Sequence, residues 1–166
     1  MKKCKLCKCW KDTNMYSIKD HTTMGRSKIC KSCAPHQLDV PVPERAVIYI
    51  CGFYSEEFNQ RYLKVGYTTK SAEYRLRTIL KSWSTKLEEI PYSRVLLEIE
   101  VDPLNSYNIE QSILKKLKSI YQDSILHNGL DIAGRKETFT VNSTTESRLF
   151  VEYVRKLIIL AESEDH

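Results

Sequence analysis

The sequence predicts an α+β fold: a small sheet of about three strands plus a short fourth, flanked by helices and preceded by a separate N-terminal module. After residue 45, short β-prone runs alternate with segments in which apolar residues recur at helical spacing. The first 39 residues are different, because they are basic and hold cysteines in matched pairs. These observations favour one main domain with a small appendage, which is also what 166 residues can accommodate.

The boundary between the two parts is predicted from a proline-rich stretch. Residues 34–45 hold three prolines and no periodic apolar pattern, and Val-Pro-Val-Pro within them is extended and semi-rigid. We therefore divide the chain into a module over residues 1–39, a linker over residues 40–45 and a main domain over residues 46–166.

Four segments of the main domain are predicted to be strands. The first two read as a pair around a loop over residues 52–61, and the third alternates apolar and polar residues as a half-buried strand does. The fourth is short. In order, they are Ala46–Cys51, Tyr62–Tyr67, Tyr92–Val101 and Glu137–Val141.

Three helices are predicted between and after these strands. Ser71 is a suitable N-cap for a helix reaching about Lys81, and a second helix starts from about Asn105 with an apolar stripe. Ser143 and Glu146 have the spacing of a capping box just before a long apolar run, which indicates a C-terminal helix.

Composition excludes several classes of protein. No apolar run approaches the roughly 20 residues that span a bilayer, and the basic start leads into Cys-Trp-Lys-Asp rather than an apolar signal sequence. We therefore expect a cytoplasmic protein with no membrane partner, in which thiols stay reduced and paired cysteines hold metal more often than they form disulfides.

The positive charge is concentrated in the N-terminal module. Residues 1–39 hold eight lysines and one arginine against three aspartates, a balance of +6, whereas the remaining chain has a balance of −1. This asymmetry favours a polyanionic partner for the module, although a solvated lysine-rich surface would give the same count.

The cysteine spacing predicts a structural zinc site. Cys4 and Cys7 form one Cys-x-x-Cys pair, and Cys30 and Cys33 form another across a 22-residue loop. Each pair offers two thiolates to one ion, and four thiolates select zinc or, less readily, an iron–sulfur cluster. Ordinary reduced thiols or a redox pair are the alternative interpretation.

Other residues of the module have open roles. Cys9 competes as a ligand, and His21 or His36 could substitute for a cysteine. Trp10 and Tyr16 are expected to pack against the metal module, with stacking on a nucleotide base as the alternative. We interpret the module as a DNA-contacting zinc finger whose lysines contact phosphates without reading sequence.

Three short motifs follow one another in the main domain: Val-Ile-Tyr at 47–49, Lys-Val-Gly-Tyr-Thr-Thr at 64–69 and Arg-Leu at 75–76. With them, residues 46–141 resemble the GIY-YIG nuclease superfamily, which has Gly-Ile-Tyr at the first motif and Tyr-Ile-Gly-x-Thr at the second. Arg75 and Leu76 match its Arg-Leu pair on the following helix, and Glu110 matches a later glutamate. The resemblance implies a GIY-YIG-like sheet and a metal-dependent endonuclease that hydrolyses phosphodiester bonds in DNA, in a phage or mobile-element setting.

The resemblance also implies roles for individual residues. Tyr49 would orient or deprotonate the attacking water, with its hydroxyl acidified by nearby cations. Arg75 would hold the scissile phosphate through its planar fork, and Glu110 would bind one catalytic Mg²⁺. Lys64 would serve either as a base or as a phosphate ligand, and Tyr67 is a further candidate at an odd strand offset from Lys64.

Two departures from the family pattern keep a second function open. Lys64 replaces a tyrosine, and Ile79 stands where a histidine follows Arg75 by one turn. A lysine version of the second motif resembles a phage and bacterial branch of the superfamily. The alternative is a non-catalytic zinc-finger DNA-binding or regulatory protein on a degenerate nuclease fold, and a weaker one is a zinc-stabilised interaction protein. Glu137 is a rival acidic ligand because it begins a strand near the same edge.

Overall fold

A computed structural model describes residues 1–20, 25–34, 43–56, 59–85, 91–121 and 137–163. The chain divides into two compact units, Met1–Glu44 and Arg45–His166. The predicted α+β class is confirmed: the described residues form three helices, a small antiparallel sheet and a cysteine cluster near the N-terminus. Within the described ranges, no helix has both the length and the apolar character needed to cross a bilayer.

The first unit consists of two very short antiparallel hairpins around a small apolar centre. Strands β1 and β2 form the first hairpin, and β3 and β4 form the second. The strands cover Lys2–Lys3, Trp10–Lys11, Ile18–Asp20 and Gly25–Arg26. Between the hairpins, Thr13–Met15 forms one turn of 3₁₀ helix. The buried centre is made of Cys4, Tyr16 and Cys30, so two of its three members are cysteines.

The second unit is a four-stranded antiparallel sheet with the spatial order β7-β5-β6-β8. Strands β5 to β8 cover Ala46–Ser55, Gln60–Thr68, Tyr92–Val101 and Thr138–Val141. Helices α1, α2 and α3 cover Ala72–Trp83, Ser106–Lys118 and Thr144–Ser163. Strand β6 therefore lies between the long strand β5 and the four-residue strand β8, so the described residues pair its β8 side over only part of its length.

The predicted helix starts correspond to specific hydrogen bonds. The Ser71 hydroxyl accepts a hydrogen bond from the Tyr74 backbone N–H at 3.2 Å, as an N-cap does. The Ser143 hydroxyl accepts one from the Glu146 N–H at 3.0 Å, while the Glu146 carboxylate reaches back to the Asn142 N–H at 2.6 Å. Both side chains therefore satisfy backbone donors that a helix leaves open.

The first hairpin of the sheet is longer than its sequence suggests. The loop predicted over residues 52–61 is wrong for most of its length, because β5 and β6 stay paired as far as Ser55 and Gln60. Phe53 explains the extension, since it is buried and its ring lies 4.6 Å from that of Trp83. An aromatic side chain packed beneath a helix holds this strand in the sheet.

The two faces of the sheet carry different layers. Ile48 and Ile50 of β5 belong to the larger core, which the apolar residues of α2 and α3 complete. Tyr49 and Cys51 alternate with them and belong to a smaller cluster with α1. Because neighbouring side chains on a strand point to opposite faces, α1 covers one face of the sheet and α2 with α3 covers the other.

Candidate functional site

The sheet has an open edge along the second half of β6. Strand β8 pairs only with Arg61–Lys64 of β6, so Val65–Thr68 has no strand partner on that side among the described residues. At this edge the Tyr67 backbone N–H donates a hydrogen bond to a Glu110 carboxylate oxygen at 3.1 Å. A side chain of α2 therefore takes the place of a missing strand.

Glu110 is a buried carboxyl held by two donors. It is 5% exposed, and its second oxygen accepts a hydrogen bond from the Gln111 amide at 3.0 Å. Burial, followed by the negative charge of Glu137, raises the pKa of the Glu110 carboxyl to about 7, while its two hydrogen bonds and Lys64 oppose the shift. Such a carboxyl gains its full charge most readily when a cation is beside it.

Lys64 and Glu137 form an ion pair where β8 begins. Lys64 is almost fully buried in β6, and its Nζ lies 2.5 Å from a Glu137 carboxylate oxygen. The register explains the pairing, because Lys64 lies opposite Thr138, the first residue of β8. Glu137 therefore lies one residue further, beside the open edge, and it provides the opposite charge that a buried ammonium requires.

Tyr49 lies across Gly66 on the neighbouring strand. The two residues are directly paired between β5 and β6, and a Cβ atom placed on Gly66 would lie 2.6 Å from the Tyr49 hydroxyl oxygen. Any larger residue at position 66 would push the tyrosine away. The glycine of the Lys64–Thr69 motif is thus the residue that leaves room for the Tyr49 ring.

Arg75 approaches Tyr49 from α1. Arg75 is half-buried, and it lies close enough to lower the pKa of the Tyr49 hydroxyl. Burial nevertheless raises the pKa of Tyr49 above its ordinary value, because its effect is larger than that of Arg75. The nearby cation Arg75 lowers the pKa of Tyr49 as expected, but burial has the larger effect, so without a bound metal ion the hydroxyl is a neutral phenol at pH 7.

These side chains form one electrostatic cluster, which we call the edge cluster: Tyr49, Lys64, Arg75, Glu110 and Glu137. The charge of Glu137 acts on both Tyr49 and Glu110, and the charge of Lys64 acts on Glu110. Tyr49 and Lys64 belong to the α1 side of the sheet, whereas Glu110 comes from α2. The cluster therefore lies at the sheet edge, where groups from both layers meet.

Tyr67 contributes to the edge cluster differently from the other predicted residues. Its ring packs against the larger core and meets the Tyr107 ring edge-on at 6.2 Å. Its contact with Glu110 is made by its backbone N–H. The odd offset from Lys64 accounts for this placement, since it turns the phenol to the opposite face of the sheet.

Two neighbours of the edge cluster have no sequence signal. Gln111 adjoins Glu110 on a helix, where consecutive side chains ordinarily diverge, yet it binds the same carboxylate. Cys51 is fully buried opposite Lys64, and burial raises the pKa of its thiol to about 12. Cys51 reads in the sequence as a core residue, and as a neutral thiol it behaves as one.

The four paired cysteines of the first unit come together as predicted. The Sγ atoms of Cys4, Cys7, Cys30 and Cys33 all lie within 4.8 Å of one another. Zinc–sulfur bonds of about 2.3 Å at tetrahedral angles separate the sulfurs by about 3.8 Å, so the donor set fits zinc. The four thiols therefore form a cluster that could hold a zinc ion.

Backbone groups shape both knuckles of this cluster. In the first, the Lys8 N–H donates to the Cys4 carbonyl at 3.0 Å, with Lys8 in the left-handed region at φ 61°. In the second, the Cys33 N–H donates to the Cys30 carbonyl at 3.0 Å. The Cys30 N–H also points at the Cys4 sulfur from 3.4 Å and lowers the pKa of Cys4, whereas the neighbouring thiols raise the pKa of Cys33. Cys4 is therefore the thiol that most readily gives the thiolate form that a metal binds.

The remaining residues of the first unit separate into packed and exposed groups. Tyr16 is fully buried, and its hydroxyl donates to the Lys2 carbonyl at 2.6 Å, as expected of a residue that packs against the metal module. Trp10 is 64% exposed, so the prediction that it packs there is wrong. Cys9 is exposed outside the four-sulfur cluster, and His21 and His36 lie outside the described residues.

Comparisons with known proteins give one family. The T5orf172 domain matches residues 46–159, which is most of the second unit and more than half of the chain. This family is associated with nuclease-like phage domains. No curated protein and no solved structure matches the chain.

Proposed function

This chain belongs to the T5orf172 domain family, and we propose that its second unit is a metal-dependent DNA endonuclease of the GIY-YIG type. The observation that supports the proposal best is the edge cluster. One tyrosine, two cations and two carboxylates that lie far apart in the sequence are linked here by one ion pair and by the effects of their charges on the pKa values of Tyr49 and Glu110. These are the groups that hydrolysis of a phosphodiester needs: one to place water, cations for the phosphate and oxygen ligands for a metal.

In this proposal Tyr49 and Arg75 act on the reacting phosphate. The Arg75 guanidinium has a planar set of donors that matches two phosphate oxygens, and its charge acts on the Tyr49 hydroxyl. A phosphate bound by Arg75 would therefore lie next to that hydroxyl. As a neutral phenol, Tyr49 can orient an attacking water through a hydrogen bond.

Glu110 and Glu137 are the proposed metal ligands. The charge of Glu137 raises the pKa of Glu110, so the two carboxylates act on one another, and together they would supply the oxygen ligands that a hard cation such as Mg²⁺ prefers. When bound, the cation would polarise the phosphate and assist the leaving oxygen. Lys64 acts as a positioning residue here, because its buried ammonium fixes the Glu137 carboxylate beside the open edge.

The first unit is proposed to hold structural zinc and to contribute DNA binding. Its lysines and one arginine give residues 1–39 a balance of +6, and the four cysteines would fix that charge on a small rigid scaffold. Contacts to phosphate through lysine position a protein on DNA without reading bases, and they weaken steeply as salt concentration rises. Residues 40–45 would join this module to the nuclease domain.

The direct test is nicking of supercoiled plasmid DNA with and without Mg²⁺. We expect cleavage only with the metal, and a loss of about 100-fold or more in Arg75→Ala and in Glu110→Ala. Arg77→Ala is the matched control, since Arg77 lies on the same helix, two residues away, with an exposed side chain. Circular dichroism would confirm that each variant remains folded.

One observation favours a second candidate function, a non-catalytic DNA-binding module. Lys64 replaces the tyrosine of the family motif, and its ammonium is paired with Glu137. The same assay separates the two functions. Salt-sensitive DNA binding without cleavage in Mg²⁺ or Mn²⁺ would support the module, whereas cleavage retained in Arg75→Ala and Glu110→Ala would remove the edge cluster as the catalytic site.

A further inference from the structure

The second unit contains a cavity that shares no lining residue with the edge cluster. It has a volume of about 670 Å³ and lies between the hairpin end of the sheet and the first two turns of α3. Its apolar lining includes Leu63, Leu96 and Val151. Cavities of 300–1,000 Å³ with an apolar lining and a few polar groups are typical of small-molecule and cofactor sites.

The charge of the lining is strongly positive. Arg61 of β6, Arg94 of β7 and Arg148 of α3 all line the cavity. Within the described parts of the chain, none of the three forms an ion pair with a carboxylate. The one acidic lining residue, Glu152, lies 3.6 Å from Arg155. The cavity thus presents three arginines to an anion.

Other groups of the lining extend this preference. Thr144, the first residue of the 20-residue helix α3, lies on the cavity wall, so the positive end of the helix dipole borders the same space. Tyr54 and Tyr92 add two aromatic rings. The Arg61 guanidinium lies 5.1 Å from the centre of the Tyr54 ring, so two lining residues form a cation–π pair.

We propose that this cavity binds a nucleotide. Arginine forks match the oxygens of a phosphate group, while tyrosine rings and an arginine plane stack on nucleobases. A bare phosphate would leave the apolar lining and both rings without a partner, and a cationic ligand would meet three arginines. The ligand is therefore a phosphate that carries a flat ring, supplied either as a free nucleotide or as one unit of a DNA strand.

The site is separate from strand cleavage and does not depend on it. The cavity is lined from the α2 and α3 side of the sheet, by Leu63 and Arg61 of β6, whereas Lys64 points to the other side. Binding can therefore be measured on the full zinc-loaded protein without added Mg²⁺, and loss of nicking activity would leave the measurement unaffected.

The test is calorimetric titration of the full protein with deoxyadenosine monophosphate, with deoxyadenosine, with inorganic phosphate and with a single-stranded 12-nucleotide DNA. We expect the nucleotide to bind at least tenfold more tightly than either of its two parts. Arg148→Glu should weaken nucleotide binding at least tenfold. Lys156→Glu makes the same charge change at an exposed position further along α3, and it should change binding less than twofold.

The two nucleotide sources are distinguished by the DNA arm. If the site serves a DNA strand, the 12-nucleotide DNA binds more tightly than the mononucleotide, and Arg148→Glu weakens it more than Lys156→Glu does. If the site serves a free nucleotide, Arg148→Glu and Lys156→Glu affect DNA binding equally, while only Arg148→Glu lowers mononucleotide affinity.

Arg94→Glu, from the opposite wall, provides a second variant if Arg148→Glu does not fold. The proposal is overturned if a folded arginine variant binds both the mononucleotide and the DNA as tightly as the wild type does. It is also overturned if inorganic phosphate binds as tightly as the nucleotide, because the cavity would then be an unspecific anion site.

Discussion

The first unit has an apolar centre of three residues, two of which are cysteines, whereas the second unit packs seventeen apolar side chains into its larger core, counted over the described residues. Domains of about 40 residues bury too little surface to fold without metals or disulfides, while a domain of roughly 120 residues can rely on its core. Metal binding by the four cysteines is thus expected to stabilise the first unit in place of an apolar core. The second unit has such a core, and its buried charged groups are not needed to stabilise it.

The two units also differ in where their charged side chains lie. In the first unit the lysines lie around a centre fixed by the cysteines, so no apolar layer is interrupted. In the second unit Lys64 and Glu110 are buried at the end of an apolar sheet, where each charge needs its own partner. Burial disfavours the ionised form of Glu110, as its raised pKa indicates, so this charge in the second unit opposes folding.

Removing the metal is expected to give the largest effect. Cys4→Ser should unfold the first unit, because structural zinc contributes about 10–16 kcal/mol to folding in small zinc modules. The second unit should remain folded. Hydrogen exchange followed by mass spectrometry would measure both, as loss of protection confined to residues 1–34, together with loss of bound zinc.

The matched control is Cys9→Ser, which removes an exposed thiol outside the four-sulfur cluster. It should keep full zinc content and full protection. A Cys4→Ser protein that stays protected in the first unit would show that the hairpins and Tyr16 suffice, and the proposed contrast between the two units would fail.

A core substitution should give the next largest effect and should act on the second unit alone. Phe150 is fully buried, with its ring 4.7 Å from that of Tyr121 and 5.6 Å from that of Phe139. Phe150→Ala should lower the free energy of unfolding by about 3–5 kcal/mol, without a change in zinc content. Leu149→Ala, at the adjacent and exposed position, should change it by less than about 0.5 kcal/mol.

These measurements can be made on one unit at a time because the chain has one tryptophan in each. Trp10 is exposed in the first unit and Trp83 is buried in the second. In a Trp10→Phe background, urea unfolding followed by fluorescence reports the second unit. If Phe150→Ala also released zinc, the two units would not be independent in stability.

Much of this fold could be predicted from the sequence because its elements have strong local signals. The alternation over Tyr92–Val101 matches the bounds of β7, and Ser71 and Ser143 act as helix caps. The error over residues 52–61 has a tertiary cause, since the pairing of Phe53 depends on Trp83, thirty residues further along. A local pattern contains no information about that contact.

The candidate site was predictable only in part for a similar reason. Tyr49, Lys64, Arg75 and Glu110 follow from a resemblance in residue order, but their protonation depends on burial. The raised pKa values of Tyr49 and Glu110 arise from burial at the sheet edge. The arginine cavity has no sequence signal, because its three arginines come from three different elements.

The buried Glu110 carboxyl should make the stability of the second unit depend on pH, with a smaller effect than that of Phe150→Ala. The pKa of Glu110 is raised from 4.5 to about 7 in the folded protein. The folded state therefore binds this proton more tightly than the unfolded state, so its contribution to stability is fully present below pH 4.5. It is lost as pH rises through about 7, and it amounts to about 3 kcal/mol at most.

Glu110→Gln imitates the protonated carboxyl and should remove this dependence. In protein without added divalent cation, we expect the variant to gain stability relative to the wild type between pH 5 and pH 8, measured by urea unfolding with Trp83 fluorescence. Glu73→Gln removes an exposed carboxylate from α1 and should follow the wild-type profile. Because a bound cation favours the ionised carboxyl, added Mg²⁺ should flatten the wild-type profile but leave that of Glu110→Gln unchanged. Parallel profiles for the wild type and Glu110→Gln would mean that the buried carboxyl does not oppose folding, and that the second unit, like the first, accommodates its charges without a loss of stability.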